Sequence, residues 1–269
     1  MGAWKQGLHQ ARSLKPSRIR QQAHRHFRLE VRAADDAGRE ALCRILIPDE
    51  ITGPERTRAG EHLVAPGEAA EILVRDPGTS GAGVVLDPHD PDAGLRELLR
   101  VYAPYRLALG RIFAPLRRLL ARDLIQALAS RNAAIAAISA LPEVVPNPLS
   151  LVLALGEMGS DTVLITANQV GLAFELAALH DEPIGWRAQS GRVGLVLAGA
   201  LGWRTLAREL VGLIPAGYGL AAKSGIAYSG SLAVGAALWR YQAPARGAAF
   251  QPRRKFLRTQ PAPVERQIA

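Results

Sequence analysis

Hydrophobic and polar positions divide the chain into a mixed first part and a helical second part. Three short runs, over residues 27–31, 71–75 and 83–87, alternate as strands do. Helical spacing predicts helices over residues 37–47 and 92–101, and Pro or Gly residues separate all of these elements. Residues 27–102 are therefore predicted to form a small α/β unit.

A basic amphipathic helical region is predicted over residues 103–141, with a break or restart at Pro115. At about 100° per residue, its arginines occupy one half of the helix circumference and its large apolar residues the other. Within this region no acid precedes Asp123, and this is typical of a helix on an anionic bilayer. An ordinary amphipathic helix on a soluble core fits the pattern equally well. The arginines are Arg106, Arg111, Arg117, Arg118 and Arg122, and the apolar residues are Leu109, Ile112, Phe113, Leu116, Leu119 and Leu120.

Residues 142–240 are predicted to be an apolar helical domain that associates with a membrane. Prolines at 142, 146 and 148 mark a hinge before it, and residues 210–239 contain a single charge, Lys223. About 18 nearly uncharged residues are enough for a membrane span. The break at residues 215–219 fits two shorter helices or a re-entrant hairpin as well as a clean crossing. Ala227, Ser231 and Gly235 form a small-residue face for a partner helix. That helix belongs either to this chain or to a second copy of it.

The distribution of charged residues predicts the kind of partner and the membrane topology. The net charge is +9 and the pI about 10.4, so anionic partners are expected. Basic segments lie at both ends, over residues 1–26 and 241–269, and the second is predicted to be disordered. If spans cross the membrane, both ends belong on the cytoplasmic side, which requires an even number of crossings. The single cysteine, Cys43, excludes an internal disulfide framework and fits a reducing compartment.

Polar residues within the apolar domain are predicted to hold its helices together. Arg204 and Arg208, with Glu209 beside them, are expected to pair with an acid on the preceding helix, because buried charges need partners. A solvent-facing loop or helix end is the alternative. The acids are Glu157, Asp161 and Glu175; Asn168 and Gln169 are expected to add interhelical hydrogen bonds.

The second half of the chain resembles a known family. The elements that carry the resemblance are Leu141-Pro142, Asn168-Gln169, Gly202-Trp203-Arg204 with Arg208-Glu209, and residues 215–219 followed by Lys223. Over residues 120–240 this pattern is similar to the YcjF-like domain of unknown function. The resemblance implies a bacterial protein linked to the inner membrane, often fused to or encoded near Era-like GTPases, with no catalytic residues to transfer.

No spacing in the sequence assembles a catalytic, metal or cofactor site. A phosphate loop fails at residues 217–224, where alanine replaces the second glycine and no strand precedes, and residues 78–83 are predicted to be a turn. The basic tails contain no recognition-helix motif, so nucleic acid is not the expected partner.

These observations predict an α+β fold with a small α/β unit and a membrane-associated helical domain. The expected function is a non-enzymatic scaffold or regulator at the bacterial inner membrane for a cytoplasmic partner, such as a GTPase. The alternative is a soluble or peripheral nucleotide-binding protein or enzyme, located in the cytoplasm, whose α/β unit is a degenerate nucleotide-binding domain.

Overall fold

A computed structural model describes residues 16–144, 160–194, 196, 199 and 219–242. Its strands are β1 (Leu29–Arg32), β2 (Leu63–Val64), β3 (Ile72–Arg75) and β4 (Val84–Val85). Its helices are α1 (Pro16–Ala23), α2 (Asp36–Leu46), α3 (Gly53–Gly60), α4 (Pro91–Val101), α5 (Arg106–Ile112), α6 (Ala114–Val144), α7 (Ser160–Leu179) and α8 (Gly219–Gln242), with a 3₁₀ turn over Ala103–Tyr105. The predicted α+β class is confirmed. The three predicted strands and both predicted helices of the α/β unit are present, and α1, α3 and β2 are additions.

The strands form a parallel sheet in the order β2-β1-β3-β4. Leu29 and Val31 on β1, like Ile72 and Val74 on β3, point to one face and are buried in the core. Glu30 is buried on the other face, where it accepts two hydrogen bonds from Arg32 and one from the amide of Gly67. Loop 65–71 crosses β1 on this side, so Glu30 holds the connection from β2 to β3.

Short polar side chains start the helices of the α/β unit. The Asp35 carboxylate accepts from the amide of Gly38 at the start of α2, and Asp90 accepts from Ala93 at the start of α4. Asp87 accepts from the amide of His89, and Asp92 pairs with Arg96. The acids around β4 and α4 are therefore turn, cap and surface ion-pair residues.

The predicted amphipathic region consists of two helices. The break lies at Phe113, whose φ of −101° and ψ of 116° are extended, while Pro115 occupies the first turn of α6. The apolar half predicted for this region is confirmed, because all six of its residues are buried. No helix break occurs at Pro142, since α6 runs to Val144, and the prolines at 146 and 148 lie outside the described residues.

Helices α6, α7 and α8 meet at a buried polar layer. The side-chain amide of Asn132 on α6 donates to the hydroxyl of Ser231 on α8 at 2.9 Å, and Asn168 on α7 donates to Asn132 at 3.0 Å. Gly235 lies so close to α6 that a Cβ atom there would be 2.6 Å from Ile125. The small-residue face of α8 therefore contacts α6 of the same chain at Ser231 and Gly235, and is not open there to a second copy.

The prediction of transmembrane helices is wrong for the described residues, because none of their helices combines the length and apolarity that a bilayer crossing needs. Alanine and glycine supply much of the apolar character of α7 and α8, and polar residues interrupt both helices. The expected even number of membrane crossings therefore has no support from the described helices. Of the predicted span 210–239, residues 219–239 are described, and residues 210–218 lie outside the described part.

We predict that Gly235→Val lowers the free energy of unfolding by about 1–3 kcal/mol, because the added carbons overlap Ile125 in the α6–α8 contact. Urea unfolding followed by circular dichroism measures the change. Gly225→Ala is the matched control: it lies on the same helix with no neighbour within 4 Å of its Cβ position, and is expected to gain up to about 1 kcal/mol. An unchanged stability for Gly235→Val would contradict the contact.

Candidate functional site

The end of α7 is shaped by a residue in an unusual backbone conformation. Asp181 has a φ of 59°, and among the described non-glycine residues it alone has a positive φ. The amide of Glu182 donates to Ala177 and that of Asp181 to Ala178, which is the hydrogen-bond pattern of a Schellman helix end. Glycine usually occupies this position, so an aspartate here carries a conformational cost.

The Asp181 carboxylate joins α7 to two helices from earlier in the chain. One oxygen accepts from Arg58 on α3 at 2.8 Å, and the other from Arg111 on α5 at 3.1 Å. Arg111 is 14% exposed and also donates to the carbonyl of Ala23 at the end of α1. We call this group, with Asp181, Arg58 and Arg111, the Asp181 junction. It connects the α/β unit and α1 to the helical cluster.

A second ion pair lies near the junction. Arg117, at the start of α6, pairs with Glu55 on α3 at 3.2 Å and donates to the carbonyls of Gly110 and Arg111. Its side chain is 15% exposed. Because the donated bonds satisfy backbone carbonyls at the α5–α6 break, Arg117 stabilises the turn between these helices.

His180 lies between these charges at the end of α7. Its ring contacts that of Trp239 at 4.9 Å between centroids, and within the described part of the chain its buried Nε2 atom has no hydrogen-bond partner. Burial, together with the nearby Arg117 and Arg192 and against an opposing effect of Glu55, lowers the pKa of His180 to about 4. His180 is therefore neutral at pH 7.

Glu175 lies one to two turns earlier on α7. Burial raises the pKa of its carboxyl, although Arg106 and Arg131 act in the opposite direction. The Arg106 guanidinium lies 3.9 Å from a carboxylate oxygen of Glu175. Both groups on α7 with shifted pKa values are thus biased toward their neutral forms by the helical core.

The crevice where a nucleotide phosphate would bind contains carboxylates of this chain. In open α/β sheets, ligands bind at the carboxyl ends of strands where the strand order reverses, here between β1 and β3. Asp76, directly after β3, accepts from the amide of Ala34 at 3.0 Å and from that of Thr79 at 2.7 Å. The Asp35 carboxylate accepts from the amide of Gly38 in the first turn of α2. Hydrogen bonds from Thr79 and Ala34 lower the pKa of Asp76, so two anions hold the amides that a phosphate would use.

The structure separates the five predicted membrane-surface arginines. The prediction is wrong for Arg111 and Arg117, whose side chains turn inward to Asp181 and Glu55 because the break at Phe113 rotates α5 relative to α6. Arg106 is half-exposed and pairs with Glu175, Arg118 is exposed and Arg122 is partly buried.

The predicted interhelical residues are only partly described. Asn168 forms the hydrogen bond given above, whereas Gln169 is buried and its side-chain oxygen has no partner among the described residues. Lys223 lies in the first turns of α8, partly buried. The other predicted residues, Glu157, Trp203, Arg204, Arg208 and Glu209, and the side chain of Asp161, lie outside the described part.

No family model, curated protein or solved structure matches this chain. The comparisons therefore give no family for it. Within the described residues, no three His, Cys, Asp or Glu side chains are grouped to hold a metal ion.

Sequence reasoning missed Asp181 and its partners. Arg58 and Asp181 are separated by 123 positions, so no local spacing connects them. The available signal was the run His180-Asp181-Glu182-Pro183 after an apolar helix, because proline often follows a helix end closely.

At position 181 we predict that the free energy of unfolding is highest for wild type, lower for the Asn and Gly variants, and lowest for the Ala variant. Asparagine tolerates the left-handed backbone but loses the charge, glycine relieves the backbone but loses both bonds, and alanine has both defects. The loss for Asp181→Ala is expected to be about 1–2 kcal/mol in urea unfolding. An alanine variant more stable than the glycine variant would contradict the assigned backbone role.

We predict that His180→Phe removes part of the acid sensitivity of folding. The unfolded histidine has a pKa near 6.5 and the folded one about 4, so the unfolded chain binds the proton first and wild type loses stability as the pH falls through this window. Phenylalanine keeps a ring against Trp239 but cannot titrate. Between pH 7.5 and 4.5, the free energy of unfolding of wild type should fall by about 2 kcal/mol more than that of the variant. Parallel stability curves would contradict the assigned neutral state.

Proposed function

We propose that this chain is a non-enzymatic scaffold module that attaches peripherally to a membrane surface. The observation that supports attachment is an apolar, exposed end of the three-helix cluster, on the far side of the Asn132 layer from the α/β unit. The scaffold role is supported by the Asp181 junction, which holds the α/β unit in one orientation relative to that end.

The contacts of α6 define which helix ends lie together. Ile125 lies against Gly235, and Asn132 contacts Ser231 and Asn168. Helix α8 therefore runs antiparallel to α6, and the last turns of α6 lie with the first turns of α8 and α7. We call this end the helical tip, comprising the described side chains of residues 133–138, 164–167 and 223–229.

The composition of the helical tip fits a bilayer interface. Ile138 is 66% exposed, the highest value among the exposed large hydrophobic residues of the described chain. Lys223 carries the only charge among the described side chains of the tip, and Tyr228 supplies a ring with a polar end. Exposed apolar surface of this kind marks interaction sites, and lysine and tyrosine are usual at the lipid–water boundary.

Two further arguments support the proposal over its alternative. The resemblance to the YcjF-like domain implies membrane-linked relatives. The carboxylates of Asp35 and Asp76 in the sheet crevice oppose a phosphate ligand, so the geometry does not favour a nucleotide-binding function. Attachment at the tip needs no crossing. It leaves the α/β unit in water on the opposite side, where it is presented to a protein partner.

We predict that Ile138→Glu reduces binding of the full chain to neutral phosphatidylcholine vesicles by about tenfold or more, because an exposed apolar anchor is lost and a charge must enter the interface. Flotation on a density gradient measures the partition coefficient. Tyr241→Glu is the control, since Tyr241 is a 62% exposed large side chain at the end of α8 opposite the tip, and this variant should bind like wild type. Equal binding of both variants, or no binding by wild type, would overturn the proposal.

A further inference from the structure

A groove lies at the β4 edge of the sheet, remote from the helical tip. It is an open cavity of about 320 Å³ lined by Gly83, Val84, Val85, Glu97, Val101 and Tyr102. Val85 is 37% and Val101 49% exposed, so two of the exposed large apolar side chains of the described chain lie in one groove. Such a concentration indicates a binding surface, whereas single exposed apolar residues do not.

The backbone around the groove is well ordered by its neighbours. Gly83 has a φ of 123°, and a Cβ atom there would lie 3.0 Å from the carbonyl oxygen of Leu73, so only glycine allows β4 to approach β3 this closely. The Tyr102 hydroxyl accepts a hydrogen bond from the amide of Leu73 at 3.0 Å. The groove is therefore formed before any ligand arrives, which lowers the entropic cost of binding.

The groove belongs to an acidic part of a basic protein. Residues 83–102 contain four acids and two arginines, a net charge of −2, while the whole chain carries +9. The acids are Asp87, Asp90, Asp92 and Glu97, and the arginines are Arg96 and Arg100. Glu97 lines the groove itself. Its carboxylate pairs with Arg100 on the same helix. A groove that combines valine side chains with this carboxylate is complementary to a segment that combines apolar and basic side chains.

We propose that this groove binds the C-terminal segment of the same chain, residues 253–258. This segment reads Arg-Arg-Lys-Phe-Leu-Arg, so Phe256 and Leu257 are flanked on both sides by cations. Phe256 is the apolar anchor for the surface of Val85 and Val101, and a flanking cation pairs with Glu97 in exchange for Arg100. The inference goes beyond the proposed membrane function and does not depend on it.

The segment is long enough to reach the groove. Helix α8 ends beside the Asp181 junction, because Trp239 contacts His180 and the Gln242 side chain donates to the carbonyl of Ala173. Phe256 lies fourteen positions after Gln242, and an extended chain of that length spans up to about 46 Å. This reach equals the length of α6, whose 31 residues rise about 1.5 Å each. Tethering also gives an effective concentration of order millimolar, so a weak contact is sufficient for occupancy.

Disulfide trapping in the full chain tests the proposal. In a Cys43→Ser background, Val101→Cys is combined with Phe256→Cys, and oxidised glutathione serves as the oxidant. We expect a disulfide within one chain, identified by peptide mass mapping, that forms at least about tenfold faster than in the control pair. The control combines Ile138→Cys with Phe256→Cys, because Ile138 is even more exposed but lies at the helical tip.

A charge-reversal pair gives a second readout. Glu97→Arg in the trapping background should slow the cross-link, and adding Arg254→Glu should restore it. Equal rates for the Val101 and Ile138 pairs would overturn the proposal. Cross-links formed only between two chains would also overturn it, and would assign the groove to the segment of a second copy. Since no vesicle is present, failure of this experiment is distinct from failure of membrane attachment.

Discussion

The structure depends on the burial of one helix on several sides at once. The first half of α6 carries buried leucines and Ile125, and its neighbours are the helices of the α/β unit together with α5, α7 and α8. One continuous apolar core therefore runs from the sheet to α8. The close approach of Gly235 to Ile125 and the hydrogen bonds of Asn132 set the position of α8 along α6. Polar groups of this kind fix register, because a shift would leave them buried without partners.

The same constraint explains the behaviour of the arginines. A helix that is covered on several sides has little free circumference, so a basic residue near its start must pair or reach water. Arg117 and Arg111 lie at the α5–α6 break and pair with Glu55 and Asp181. The aspartate keeps its two partners at the expense of a left-handed backbone conformation. Arg111 and Arg117, which the sequence pattern assigns to a lipid-binding surface, thus form ion pairs within the protein.

The proposed activities lie on different parts of this frame. The helical tip is apolar and nearly free of charge in its described side chains, whereas the β4 groove combines valine side chains with the carboxylate of Glu97. The first suits a membrane interface, and the second suits a basic peptide. The Asp181 junction lies between the α/β unit and the helical cluster. It therefore couples the orientation of the two surfaces without taking part in either contact.

Local sequence patterns predicted much of the architecture, because they act over a few residues. Alternation identified β1, β3 and β4, helical spacing identified α2 and α4, and the apolar half of residues 105–120 matched the buried face. The short β2 and α3 escaped, since two residues of strand or eight of a polar helix carry little periodic signal.

The sequence by itself determined the fold class, the basic character of the chain and the apolar faces of its helices. Only the tertiary structure decided which surfaces those faces meet. The small-residue face of α8 meets α6 of the same chain, and Arg111 meets Asp181 across 70 positions. The reason is physical: a periodic pattern states that a face must leave water, but lipid, a partner and the chain's own core all satisfy that demand. The choice among them depends on contacts between residues far apart in sequence.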